Sequence, residues 1–166
     1  MSPAGVDRPG RRLRTTLLVA LGVLGADQIT KSLAVSRLSS GSVHVIGPFA
    51  LVLSYNTGVA FSIGTGLGLP IVLIVVIILA LVAWFGRTVP NLSAAVGVGM
   101  ILGGATGNLA DRLFRGHHGA VVDFVYSGFW PTFNLADASI VCGCIVLALA
   151  LFRATGRSPK TGDEAR

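Results

Sequence analysis

Four aspartates carry the chemistry that this chain offers. Asp27, Asp111, Asp123 and Asp137 stand in or beside its longest apolar stretches, whereas Asp7, Asp163 and Glu164, the rest of its seven acidic residues, lie in the tails. An ionised side chain within an apolar span is costly unless paired or hydrated, so such an aspartate is read first as functional. Two of the four have candidate partners: Lys31 follows Asp27 by four residues on the same helix face, and Arg112 adjoins Asp111. Asp27 and Asp111 therefore fit a bracing role as well as a chemical one. Asp123 and Asp137 differ, because no basic residue lies between Gly119 and Phe152. If these two carboxylates face each other at low dielectric, like-charge repulsion makes them hold one proton between them. A pair of that kind can activate a water on a carbonyl and protonate the leaving amine.

Three asparagines, Asn56, Asn108 and Asn134, fall near the ends of apolar segments, where an amide can donate to a substrate carbonyl or lock an aspartate in place. For Asn134, helix capping is an equal alternative. Other chemistries have less support. His117 and His118 are adjacent and no H-E-x-x-H accompanies them, which leaves them as loop residues and argues against a metal. No G-x-S-x-G is present, and Cys142 and Cys144 read as inert packing within an apolar run. The glycines from Gly97 to Gly107 are followed by no Lys-Ser/Thr, so a phosphate loop is not favoured.

The elements that must position these residues are membrane helices. The 166 residues are 52% hydrophobic and only 12% charged, with a mean hydropathy of +0.77, which is too apolar for a soluble domain. Spans are expected at about 13–35, 67–85, 92–110 and 133–152, each long enough to cross roughly 30 Å of hydrocarbon. Arginines ahead of the first run also fit a secretory signal peptide, but no clean cleavage site follows them. Between the first two spans, Val43, Val45, Leu51 and Leu53 alternate around Gly47-Pro48 and suggest a short hairpin at the membrane surface. Gly99 and Gly103 form a G-x-x-x-G pattern, which suits close helix approach within one chain or between chains.

The net charge of +6 could suggest nucleic acid, yet the Lys and Arg flank the apolar runs. Nine of the thirteen fall on the side of the termini and the Arg87 turn, so both termini are expected in the cytoplasm. The four aspartates then share one depth near the outer face. The expected fold is an integral membrane protein, mainly α, with four transmembrane helices, a small extracytoplasmic β-cradle and an outer loop. A basic segment 1–12 precedes the membrane domain 13–153, which includes the cradle at about 37–62 and the loop at about 112–131; a disordered tail covers 154–166.

Five blocks in order carry a resemblance: Asp27-Gln28-Ile29-Thr30-Lys31, Asn56-Thr57-Gly58-Val59-Ala60-Phe61, Gly103 to Arg112, Val121-Val122-Asp123-Phe124, and Phe133-Asn134-Leu135-Ala136-Asp137. With them the sequence resembles the lipoprotein signal peptidases, or signal peptidase II, which are bacterial aspartic peptidases. The resemblance implies that Asp123 and Asp137 are the catalytic dyad. It implies that Asp27, Lys31, Asn56, Gly58, Ala60, Asn108, Asp111, Arg112, Asn134 and Ala136 bind substrate or support the site. The implied substrate is a prolipoprotein bearing diacylglycerol on its cysteine, cut just before that residue in the bacterial cytoplasmic membrane with no metal or organic cofactor; a monomer is expected, and the placement of Lys and Arg outside the apolar runs speaks against a nucleic-acid partner. One departure is the short segment of nine residues from Val125 to Phe133 ahead of Asn134, which bears on the shape of the outer loop. Read from the residues alone, a proton-coupled transporter or channel subunit, or a scaffold packed through its glycines, remains as an alternative.

Overall fold

The structure, a computed structural model, describes residues 9–58 and 68–156. Its elements run α1 (Pro9–Leu38), β1 (Val43–Ile46), β2 (Phe49–Asn56), α2 (Gly68–Gly86), α3 (Leu92–Phe114), β3 (Val121–Tyr126) and α4 (Leu135–Thr155). Residues 10–38, 92–114 and 135–155 form three helices long and apolar enough to cross a membrane, and Val72–Gly86 is a shorter apolar helix. The helices are oily on their outer surfaces, where Leu18, Ile29, Trp84 and Phe152 stand exposed, as suits a protein whose solvent is lipid.

Helix α3 is the centre of the bundle, and its glycines sort onto two faces. A Cβ on Gly99 or Gly103 would press to 2.7 Å from Thr16 O and 2.6 Å from Ala20 O of α1. On the other face, Gly97 and Gly104 lie against Gly143 O and Ala136 O of α4, at 2.8 and 2.5 Å from where a Cβ would sit. The two seams let backbones touch on both sides, so the G-x-x-x-G face is covered by α1 of the same chain. Val89, Ala94, Ala95, Val98 and Ala150 close the core at one end of the bundle.

A three-stranded antiparallel sheet, ordered β1-β2-β3, covers the opposite end. The hairpin turns at Gly47-Pro48, where Gly47 takes φ 52°, a left-handed value that glycine adopts without strain. β3 corrects the expected outer loop. Residues 112–114 complete α3, and Val121–Tyr126 forms a strand rather than a loop. The physical reason is local: Val-Val-Asp-Phe-Val-Tyr has strong strand propensity, and β2 supplies an edge for it. Asn134 caps α4 through Asp137 N–H, so that helix begins two residues later than expected and continues to Thr155, past the expected start of the tail. Residues 157–166 lie outside the described residues. Cys142 and Cys144 face outward on α4 instead of packing inside, since Gly143 between them takes the α3 side.

Candidate active site

The site begins with a buried ion cluster between α1 and α3. Asp27 and Lys31 are one helical turn apart, and both are 0% exposed. A Cβ on Gly107 would strike the Asp27 carboxylate, so glycine at 107 is what lets α1 bring that group against α3. The Lys31 ammonium meets Asp27 Oδ2 at 2.9 Å and Asp111 Oδ2 at 3.0 Å, and it donates to Asn108 Oδ1 at 2.8 Å. Asp111 also accepts from Arg115 Nε at 2.9 Å and from the Val122 backbone N–H at 3.0 Å, which ties β3 to α3. Two negative and two positive groups thus offset one another, a condition for holding charge out of water.

This pairing corrects one expectation. The partners of Asp111 are Lys31 and Arg115, not its neighbour Arg112. Successive residues on a helix diverge by about 100°, whereas a residue four further on returns to the same face. Arg112 points instead toward the sheet, donating to Gly58 O at 3.0 Å and to Asn108 O at 3.4 Å. Arg115 and Gln28 were not singled out from sequence. Gln28 donates to Asp111 Oδ1 at 3.1 Å and to Gly107 O, and its Oε1 accepts from Arg115 at 2.7 Å. The i,i+4 spacing of Asp111 and Arg115 was the available signal for Arg115.

Asp27 has a second role. Its Oδ1 accepts from the Ala136 backbone N–H at 3.0 Å, holding an unsatisfied donor at the start of α4. Ala136 is fully buried there, against Gly104. The first turn of α4 is therefore held from α1 as well as by its own capping box, in which Asn134 Oδ1 accepts from Asp137 N–H and Asp137 Oδ2 accepts from Asn134 N–H at 3.2 Å. Asn134 is both cap and site residue, because its Nδ2 donates to Asp123 Oδ1 at 2.7 Å. One residue thus bonds both aspartates.

Asp123 sits on β3 opposite Ser54, and Asn56 lies two positions further along β2 on the same face. From there Asn56 Nδ2 donates to Asp123 Oδ2 at 3.2 Å, while its Oδ1 accepts from Gly58 N–H at 3.1 Å. Asn108 Nδ2 donates to Asp137 Oδ1 at 2.8 Å. Every carboxylate oxygen of the pair accepts one N–H from a neutral group. Asp123 is 2% exposed, and burial pushes its carboxyl up to about 6, aided by the charge of Asp137 and opposed by the Asn56 and Asn134 hydrogen bonds and by Lys31.

Both aspartates open into a cavity of about 370 Å³. Asn56, Gly58, Asn108 and Arg112 share its polar wall, and Val75 of α2 faces Ile140 and Val141 of α4 across its apolar side. Trp130, Pro131, Thr132 and Phe133 also line it. The short 125–133 segment folds back on itself here, with Phe133 paired to Val125. Asp27, Lys31, Asp111 and Ala136 lie behind the cavity rather than in it. Ala60 falls outside the described residues. His117 packs its ring on Tyr55, with centroids 4.4 Å apart, and no group of three metal-ligating side chains occurs among the described residues.

A family model described as signal peptidase (SPase) II matches residues 19–153. The chain belongs to that family. It is therefore a protease of the membrane. A lipoprotein signal peptidase of Mycobacterium avium is 45% identical over 99% of this chain and 96% of its own length. One of Rhodococcus jostii is 45% identical over 82% of this chain and 72% of its own. Among solved structures, a bacterial membrane enzyme determined in meso aligns with a TM-score of 0.78 at 29% identity, covering 90% of this chain and 94% of that one. A second aligns at 0.73 with 31% identity, covering 84% and 93%. The family membership agrees with a mainly helical membrane enzyme that carries a small antiparallel sheet.

Proposed function

We propose that this protein removes signal peptides from diacylglyceryl-modified bacterial prolipoproteins, cutting just before the lipidated cysteine, with Asp123 and Asp137 as the catalytic dyad. The observation that carries the reading is the bridging of both aspartates by Asn134 at the wall of one cavity that is polar on the sheet side and apolar between α2 and α4. One carboxylate, ionised, takes a proton from a water as its oxygen attacks the scissile carbonyl. The other, protonated, donates a hydrogen bond to that carbonyl oxygen, and a proton then passes to the leaving amine as the C–N bond breaks. Asn56, Asn108 and Asn134 hold the carboxylates in register without adding charge, and Arg112 lines the cavity with its guanidinium anchored on Gly58 O. The apolar gap suits acyl chains arriving sideways from lipid.

In this reading α2 is the fourth span, both termini are cytoplasmic and the cavity lies near the outer face, so water reaches the dyad while the substrate stays in the bilayer. The peptidase domain runs from the start of α1 to the end of α4, acts as a monomer and needs no metal or organic cofactor. Purified protein incubated with a diacylated and an unlipidated peptide of the same sequence is expected to cleave the first before its modified cysteine and to leave the second intact, as read by mass spectrometry. Equal cleavage of both would remove lipid from the recognition.

The raised carboxyl of Asp123 sets a pH dependence. A dyad that works with one proton loses activity when that proton leaves, so kcat/KM, which reports the free enzyme, is expected to fall as pH rises through about 6. The Asn56 hydrogen bond favours the ionised form of Asp123. Asn56→Ala should therefore move the fall to higher pH, whatever it does to the maximal rate. A downward shift would contradict the assignment.

A further inference from the structure

Lys31 is fully buried, and no step of the proposed cleavage uses it. Its ammonium has three protons and no acceptor, and it directs them to Asp27 Oδ2, Asp111 Oδ2 and Asn108 Oδ1. The first two contacts neutralise carboxylates. The third does not, and it is the shortest of the three at 2.8 Å. A carboxamide presents an acceptor at one end and a donor at the other, and half a turn about its last torsion exchanges them. Opposite a lysine only the carbonyl oxygen can sit, so the NH₂ end of Asn108 is forced toward Asp137 Oδ1, which it meets at 2.8 Å. Asn134 Nδ2 gives one N–H to Asp123 at 2.7 Å and its other to the same Asn108 oxygen at 3.1 Å, so two donors select that orientation, the ammonium being the charged and the closer of them. During turnover the dyad gains and loses protons, and a protonated carboxyl would accept either end of the amide as its neighbour. Held by the neutral Asn134 bond alone, Asn108 would turn over more readily with the proton.

We propose that Lys31 is a positioning residue for cleavage, its ammonium holding the Asn108 carboxamide in the one orientation that keeps an N–H donor on Asp137 throughout the reaction. The inference rests on the Asp123/Asp137 reading and adds to it a role for the cation at position 31 beyond neutralising carboxylates. Arg115 already shows that a guanidinium can neutralise Asp111 from its other side.

The test uses the full-length protein carrying Lys31→Met together with Asp27→Asn, which removes one charge of each sign and keeps an oxygen for the Ala136 N–H. With a diacylated lipobox peptide, kcat is expected to fall by roughly 10- to 100-fold, by analogy with the loss of outer-shell groups that orient metal ligands, while KM changes by less than about twofold. In an Asn108→Ala background the same two substitutions should lower kcat by no more than about twofold, because the group that Lys31 orients is already gone. A charge-balanced protein as active as the unaltered one would overturn the inference, leaving Lys31 a neutralising role only. So would the full loss repeated on top of Asn108→Ala. Asp137→Asn in the same assay separates this outcome from the underlying reading: if that protein still cleaves, the dyad itself fails, and if it is inactive while the Lys31 variant is normal, only the positioning role fails.

Discussion

Asp123→Asn and Asp137→Asn are each expected to abolish peptide cleavage, lowering kcat by about 1,000-fold or more, which lies within the range attributed to a positioned general acid or base. The substitutions preserve shape, and at each position one oxygen remains to accept its donor. The cost falls on the other donor: Asn56 or Asn134 Nδ2 at Asp123, and Asn108 Nδ2 or Asn134 N–H at Asp137, would face an NH₂ group. An unmet donor of this kind costs on the order of 1–3 kcal/mol. At Asp123 that cost is offset by removing a carboxyl whose burial disfavours its charged form. Both proteins should therefore be recovered folded from membranes, Asp123→Asn with a thermal midpoint close to the unaltered one and Asp137→Asn with one lower by a few degrees. Cleavage surviving at even a tenth of the normal rate in either variant would leave the proposed mechanism without its acid or its base.

Lys31→Met, made alone, is expected to have the largest effect on stability of any single change at the site. The substitution removes the ammonium that faces both Asp27 and Asp111, each of them 0% exposed, and leaves Arg115 as the remaining cation of the cluster. Breaking a buried ion pair from one side costs roughly 3–5 kcal/mol, because the surviving charge has no solvent to turn to. The damage would spread, since Asp27 holds the first turn of α4 through Ala136 and Asp111 holds β3 through Val122. A lower thermal midpoint and poor recovery in detergent are the measured signs. Adding Asp27→Asn should restore most of the loss by restoring charge balance, and a Lys31→Met protein as stable as the unaltered one would mean that the cluster is hydrated. Arg115→Met should cost less, because Arg115 is 17% exposed and Asp111 keeps Lys31.

Seen together, the ion cluster and the dyad are two layers of one network. Asp27 and Asp111 are the ends at which α4 and β3, the two elements that carry Asp137 and Asp123, are fastened to α1 and α3. Asn108 and Asn134 join the layers, because each has its oxygen on a fixed donor and its NH₂ on a dyad carboxylate. Burial makes such fastening strong, since an unsatisfied polar group at Asp27, Lys31, Asp111 or Asn134, each 0% exposed, has no water to fall back on.

Several of these features were legible in one dimension. Low charge and long apolar runs mark helices that suit a membrane, and alternation around Gly47-Pro48 marks the hairpin, because solvent and strand geometry act on each residue separately. The i,i+4 spacing of Asp27 and Lys31 predicts their contact, since a helix repeats locally. The absence of basic residues near Asp123 and Asp137 in the chain set them apart from the other two aspartates. Pairings between distant segments were a different matter. That Asp111 turns to Lys31 and Arg115 while Arg112 turns to the sheet depends on how α3 is rotated between α1 and α4, and that rotation is set by which glycines meet which helix. The strand at 121–126 became a strand through β2, an edge some seventy residues earlier in the chain. Asn134 could be a cap or a site residue from its position alone. Only the packing of α4 beside β3 made it both, because a carboxamide has two ends and the fold put a partner at each.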